Sequence, residues 1–322
     1  MQYSASGTRY TSARKYFLPA YICQLNVTMS FRYTPEIASD EICELGEGPV
    51  WDASKQQILW LDITKGKIHQ QDIYFKTHNI FNVGKMIGCI APRENGGLIA
   101  GLENGVAFID IEKNYVQHII SPEKGLANRF NDGKCDAAGR FWAGTMAISE
   151  EDGKGNLYVI ETDLSIKKKL ENVSISNGIA WNADNTIMYY IDTPTHYVFA
   201  FDYDIETGEI DNQRVVIDLT HETGYGDGMT IDESGMLWIG FYGGWRVGRY
   251  DPNTGKLLQE IELPAANVTC CTFGGVDMND LYITTATKGL DAQRLQQQPH
   301  AGKLFVVKNC DVKGTPVQKF RG

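Results

Sequence analysis

The chain has 322 residues, 43% of them hydrophobic and 22% charged, and carries a formal net charge of −10. That balance belongs to a soluble globular protein, built either as two ordinary domains or as one large all-β domain. The acidity and the lack of a dense basic stripe argue against nucleic acid and anionic membrane surfaces and are compatible with binding a cation; no apolar run approaches the roughly 18 residues of a membrane-spanning helix.

Residues 1–34 differ from the rest. They hold Arg9, Arg14, Lys15 and Arg32, many Ser, Thr and Tyr, and no acid before Glu36. We read them as a flexible N-terminal extension upstream of an alternative start at Met29, preferred over a mitochondrial transit peptide. Seven cysteines are scattered along the chain without a CxxC (Cys23, Cys43, Cys89, Cys135, Cys270, Cys271 and Cys310). Their odd number and spacing point to buried free thiols in a reducing compartment, hence the cytoplasm.

From about residue 35 onward a turn-opening position recurs at Asp52, Arg93, Asp136, Asn182, Asp232 and Gly274. The roughly 40–50-residue spacing is that of β-propeller blades. A strand rich in β-branched and aromatic residues follows each turn: Ile58–Leu61, Leu98–Ala100, Phe141–Ala143, Ile187–Tyr190, Leu237–Ile239 and Leu281–Ile283. Tyr197–Phe201 and Arg246–Tyr250 read as equivalent strands one blade apart, leaving through the matching turns Asp204–Gly208 and Asp251–Gly255. Helical signal is sparse, and residues 289–298 are the best short-helix candidate. Trp51-Asp52 precedes its turn and no blade has a Gly-His partner, so a WD40 reading fails. The expectation is an all-β, six-bladed β-propeller over residues 35–322.

Five residues before four of those turns stands Glu47, Asn131, Asn177 or Asp227, with Gly one or two places later. The innermost strand of each blade lines the channel, so residues of equal phase near its end face one another. The six blades supply Glu47, Gly88, Asn131, Asn177, Asp227 and Thr269 at this phase. Two carboxylates alone would repel, and a divalent cation bound by both plus an amide carbonyl relieves that repulsion. All-oxygen ligation favours Ca²⁺, Mg²⁺ or Mn²⁺; Zn²⁺ prefers His or Cys, and the six histidines lack ligand spacing. Arg129, two residues before Asn131, carries a planar fork suited to a carboxylate or sugar-like hydroxyls. Asp132 reads as ordering its own loop through backbone N–H groups. A nucleophile elbow is missing, which leaves metal-assisted chemistry on an ester or lactone carbonyl.

These stretches resemble the regucalcin/gluconolactonase family, also called senescence marker proteins, from about Glu41 to Gly322. The likeness rests on Gly46-Glu47-Gly48-Pro49 with Trp51, Arg129-Phe130-Asn131-Asp132-Gly133-Lys134, Ala143-Gly144-Thr145-Met146, Ser176-Asn177-Gly178 with Trp181, Tyr189-Tyr190-Ile191-Asp192, Asp227-Gly228-Met229, and Cys270-Cys271 before Phe273-Gly274-Gly275. Gly144–Ile148 is also similar to the luciferin-regenerating branch. The resemblance implies a propeller with one catalytic divalent ion (Ca²⁺, with Zn²⁺, Mn²⁺ or Mg²⁺ as alternatives) held by Glu47, Asn177 and Asp227. It further implies Asp227 as the proton-transferring acid and Arg129 and Asn131 as the substrate-binding pair. Where the family places a substrate-contacting Glu, ungapped counting lands on Ser149, with Glu150 and Glu151 just beyond. The expected activity is hydrolysis of a sugar-derived (aldono-) lactone, a small-molecule substrate; the alternative is a calcium-binding regulator with little or no enzymatic activity.

Overall fold

The structure, a computed structural model, describes residues 33–322. The expected flexible extension over 1–34 lies, apart from its last two residues, outside the described residues. The strands form six antiparallel four-stranded sheets, each running inward to outward in chain order except the last. Blade 1 holds Gly46–Asp52, Gln57–Asp62, Lys67–Asp72 and His78–Asn82; blade 2 holds Ile87–Pro92, Leu98–Leu102, Gly105–Asp110 and Tyr115–Ile120. Blade 3 holds Asn128–Cys135, Phe141–Ala147, Gly155–Ile160 and Ile166–Val173; blade 4 holds Ser176–Trp181, Ile187–Asp192, Tyr197–Asp204 and Glu209–Asp218. Blade 5 holds Tyr225–Ile231, Leu237–Tyr242, Arg246–Asp251 and Lys256–Glu262. Blade 6 takes Val268–Gly274, Asp280–Thr285 and Leu304–Val307 from the C-terminal end and Glu36–Ser39 from the N-terminal end.

That shared blade closes the ring, because Glu36–Ser39 pairs antiparallel with Leu304–Val307. Innermost strands touch in the order of the blades, and the first also touches the sixth. Six apolar clusters fill the six gaps between neighbouring sheets. Between blades 4 and 5, for example, Tyr189, Ile191 and Val198 pack on Met229, Leu237 and Phe241. Every sheet is therefore buried on both faces, which is why the strand runs carry so little polar alternation. All six anticipated second strands are present. The turn expected at Asp204 is closed by Gly208 N–H donating to the Asp204 carbonyl at 2.7 Å, with Gly208 at φ 66°. The short helix is Ala292–Gln297, capped by the Asp291 carboxylate accepting from Arg294 N–H at 2.8 Å.

The turn-opening acids are structural. Asp136 accepts from Trp142 Nε1 at 2.8 Å and Tyr203 Oη at 2.7 Å, and Asp232 accepts from Trp238 Nε1 at 3.0 Å. They anchor indoles in the cores beside blades 3 and 5 at the same six-residue offset. The six described cysteines (Cys43, Cys89, Cys135, Cys270, Cys271 and Cys310) are buried free thiols, whereas Cys23 lies outside the described residues.

Candidate active site

Pairing slips in all six innermost strands at the phase singled out above. Register shifts fall between Glu47 and Val50, Ile87 and Cys89, Phe130 and Gly133, Ser176 and Ile179, Gly226 and Met229, and Val268 and Cys270. A bulge bends its strand and re-aims one side chain. The Gly after Glu47, Asn177 and Asp227 belongs to that bulge, and a Cβ on Gly228 would lie 2.3 Å from Cys270 Sγ of the next blade. The backbone near the axis is too crowded for a side chain there.

Glu47, Arg129, Asn131, Asn177 and Asp227 line one cavity of about 430 Å³ at the N-terminal ends of the innermost strands. All five are between 4% and 8% exposed. The other two phase positions stay out of the lining. Thr269 donates to the Gly46 carbonyl at 2.6 Å and ties blade 6 to blade 1, while a Cβ on Gly88 would lie 2.1 Å from the Phe130 carbonyl oxygen.

Hydrogen bonding orients the amides. Thr193 Oγ1 donates to the Gly226 carbonyl at 2.8 Å, so its lone pair accepts from Asn177 Nδ2 at 2.7 Å. This places Asn177 Oδ1 on the opposite side, where Asn131 Nδ2 reaches it at 2.9 Å. Asn131 also donates to the Ser176 carbonyl at 2.7 Å and accepts from Arg129 Nη1 at 2.6 Å. Arg129 adds a bond to its neighbour's Phe130 carbonyl at 3.0 Å.

The carboxyls are less well served. Glu47 Oε2 accepts from Gly48 N–H at 2.6 Å. Burial pushes Glu47 well above the usual carboxylate range, and the charges of Asp227 and Asp132 push it further. Asp227 is likewise raised, first by burial and then by Asp132, against the opposing pull of Arg129. Two buried carboxyls in one cavity, with the nearby guanidinium spent on an amide and a carbonyl, form a site short of positive charge. Among the described residues no three His, Cys, Asp or Glu side chains gather as a metal site. An ion here would therefore draw on two carboxylates, the Asn177 amide oxygen and water, an all-oxygen set fit for a hard divalent cation.

Asp132 lies within the bulged strand Asn128–Cys135 rather than in a loop, and accepts from the adjacent Gly133 N–H at 2.7 Å. It also lines a second cavity, of about 320 Å³, toward the other ends of the same strands. Its charge thus sits beneath the site rather than in it. At the rim, Glu150 lines this cavity and Ser149 does not. Glu150 pairs with Lys288 at 2.5 Å, and Tyr242 lines the wall nearby. Thr193, Tyr242 and Lys288 carried no repeat signal in the sequence: Thr193 and Tyr242 stand at the ends of second strands, as Ile63 does in blade 1, but the side-chain type there is not shared between blades.

The fold and this cavity define a six-bladed propeller with an acidic, oxygen-lined pocket at its hub. The chain belongs to the SMP-30/Gluconolactonase/LRE-like region family, whose match spans residues 45–287. It is 41% identical over 281 residues to regucalcin of Danio rerio, covering 87% of this chain and 95% of that one. A solved luciferin-regenerating enzyme superposes with a TM-score of 0.85 at 31% identity, covering 90% of this chain and 100% of that one. A calcium-binding protein, regucalcin, from Agrobacterium tumefaciens superposes with a TM-score of 0.87 at 26% identity, covering 91% of this chain and 99% of that one.

Proposed function

We propose that this protein is a divalent-metal-dependent hydrolase of sugar-derived (aldono-) lactones acting in the cytoplasm, with Glu47, Asn177 and Asp227 as ion ligands. The observation that carries the reading is the placement of two buried, mutually repelling carboxyls in one cavity with an amide oxygen whose orientation Thr193 and Asn131 fix. A divalent ion bound there supplies Lewis acidity toward a lactone carbonyl and relieves the carboxylate repulsion. Arg129, held by Asn131 at 2.6 Å, orients the substrate oxygens through the Nε and Nη2 donors it keeps free, while Asn131 fixes the guanidinium in place. Asp227 accepts a proton from the water that attacks the carbonyl carbon. The ring C–O bond then breaks, and the proton passes to the departing alkoxide, giving the open hydroxy acid. Family membership and the regucalcin likeness support this assignment, as do the apolar walls formed by Leu45, Ile63, Met146 and Ile175.

The deciding experiment is titration of an aldonolactone panel by pH-stat, with and without chelator, on wild-type protein and Asp227→Asn. The expected outcome is chelator-sensitive turnover by the wild type, with turnover and saturable Ca²⁺ binding both lost in the variant and an unchanged far-UV spectrum. Full turnover by the variant in metal-free buffer would refute the mechanism. Ca²⁺ binding without lactone turnover would select the regulatory alternative instead.

A further inference from the structure

Each innermost strand gains one residue at its bulge, so the side chain three places beyond a hub position faces the channel again. Those residues are Val50, Ala91, Lys134, Ala180, Thr230 and Thr272, and all six line the second cavity of about 320 Å³. Two rings therefore share one axis. The hub ring is acidic; the ring below it is small and mostly apolar, with Lys134 as its single charge. Asp132, two positions nearer the hub, lines the same cavity.

These two charges are poorly served. Asp132 Oδ1 accepts from Gly133 N–H at 2.7 Å, and Oδ2 has no partner among the described residues. Lys134 Nζ donates once, to the Met229 carbonyl at 2.9 Å, and keeps its other N–H bonds free. Burial raises Asp132 against the pull of Lys134, yet the two are not joined in an ion pair. Thr230, 8% exposed, brings a hydroxyl to which no described residue bonds. Opposite charges held apart across a cavity cost the fold desolvation energy that a bridging ligand would offset.

The C-terminal segment crosses the mouth of this cavity. Gly314 N–H donates to the Met278 carbonyl at 2.8 Å, and Phe320 N–H donates to the Pro92 carbonyl at 2.9 Å. Phe320 is fully buried among side chains of blades 2 and 3. Between these anchors Thr315, Pro316, Val317 and Gln318 line the cavity and make no backbone hydrogen bond to a blade among the described residues. A segment tied at both ends and unbonded between them can bow outward to admit a small molecule.

We propose that this cavity is a second ligand site, separate from the catalytic one, that takes a small zwitterion: an α-amino acid with a short apolar side chain. The ligand ammonium meets Asp132, on the side where Glu47 and Asp227 add negative charge. The carboxylate meets Lys134 and the Thr230 hydroxyl nearer the mouth, and the side chain lies on Val50, Ala91 and Ala180. A simple anion would face the acidic hub unaided, and a simple cation would leave Lys134 without a partner. The inference stands apart from the lactonase reading, because no residue of the catalytic cavity takes part.

The test is calorimetric titration of the full chain, with Ca²⁺ present, using L-alanine, propionate (which lacks the ammonium) and ethylamine (which lacks the carboxylate). Alanine is expected to bind saturably and to raise the melting temperature with concentration, and the other two to bind about tenfold or more weakly. Asp132→Asn and Lys134→Met each lose about tenfold in alanine affinity; propionate then matches alanine in the first, and ethylamine matches it in the second. Thr230→Val, which disturbs neither charge, costs a few-fold. Lys134→Met also removes a bond across the channel, so the isosteric Asp132→Asn and Thr230→Val decide the matter if it fails to fold. Asp227→Asn binds alanine within a few-fold of wild type. Absence of saturable alanine binding by the wild type overturns the proposal, as does equal wild-type affinity for propionate or ethylamine. Binding lost in Asp227→Asn but kept in Asp132→Asn puts the ligand in the catalytic cavity and overturns it too.

Discussion

Asp227 and Glu47 show how one side chain can be costly to the fold and useful to the site. Both are raised by burial, which outweighs the opposing pull of Arg129 on each. Removing one of the two relieves repulsion in the ion-free protein. In chelator, Asp227→Asn is expected to melt a few degrees above wild type, in line with roughly 1–2 kcal/mol of relieved strain in a chain of this size. Added Ca²⁺ should reverse that order by stabilising only the wild type, and differential scanning calorimetry with and without Ca²⁺ reads both effects. Thr193 acts one step back. Thr193→Val removes one of the two bonds that set the Asn177 amide, leaving only the donor from Asn131 to hold its oxygen in place. Calorimetric titration should show Ca²⁺ affinity reduced about tenfold or more, the usual cost of losing an orienting partner.

Blade 1 carries a polar cluster that the chemistry does not use. Nδ1 of His69 and Nε2 of His78 lie 3.1 Å apart, Trp60 stacks on both rings, and Cys43 Sγ approaches His69 Nε2 at 3.7 Å. One imidazole must donate to the other, so at least one stays neutral in the folded protein. Burial, followed by the neighbouring His78, lowers His69 from 6.5 to about 4, and burial also lowers His78 against the opposing charge of Glu41. The unfolded chain then binds more protons than the folded one between these values. Stability is full above about pH 6.5 and falls as pH drops toward 4, by roughly 3 kcal/mol. Denaturant midpoints measured across that range should show a shallower slope in His69→Gln, and an unchanged slope would remove the pair from the account.

Closure governs the whole molecule. Only four residues, Glu36–Ser39, complete the sixth sheet, yet they join the two ends of the ring. Each gap between blades is filled by one apolar cluster, so opening the sixth blade exposes a strand edge and loosens the packing on both sides. A chain beginning at Asp40 is expected to melt roughly 10 °C lower than one beginning at Thr34, by the scaling of Tm with stability in large domains. Calorimetry on the two chains checks it, and equal melting temperatures would place the closure energy elsewhere.

The repeat, its strands and the Asp or Asn turns were legible in the sequence because each depends on a few neighbouring residues. Gly208 and the Asp204 side chain close their turn through local bonds, which Arg140 of blade 3 then braces at the Ile205 and Glu206 carbonyls. Glu47, Asn177 and Asp227 were legible for a related reason: each sits on a bulge marked locally by the glycine that follows it. What the chain order does not contain is the angle between blades. That angle arises from packing six apolar clusters around an axis, and it decides that Thr269 ties two strands together while Asp227 faces a cavity. It also brings Lys288 to Glu150 across 138 positions of chain, whereas Thr193 reaches Asn177 through strand pairing inside blade 4. Periodicity records what each repeat is; only ring closure determines which repeats meet, because contacts between distant segments follow from how the sheets pack.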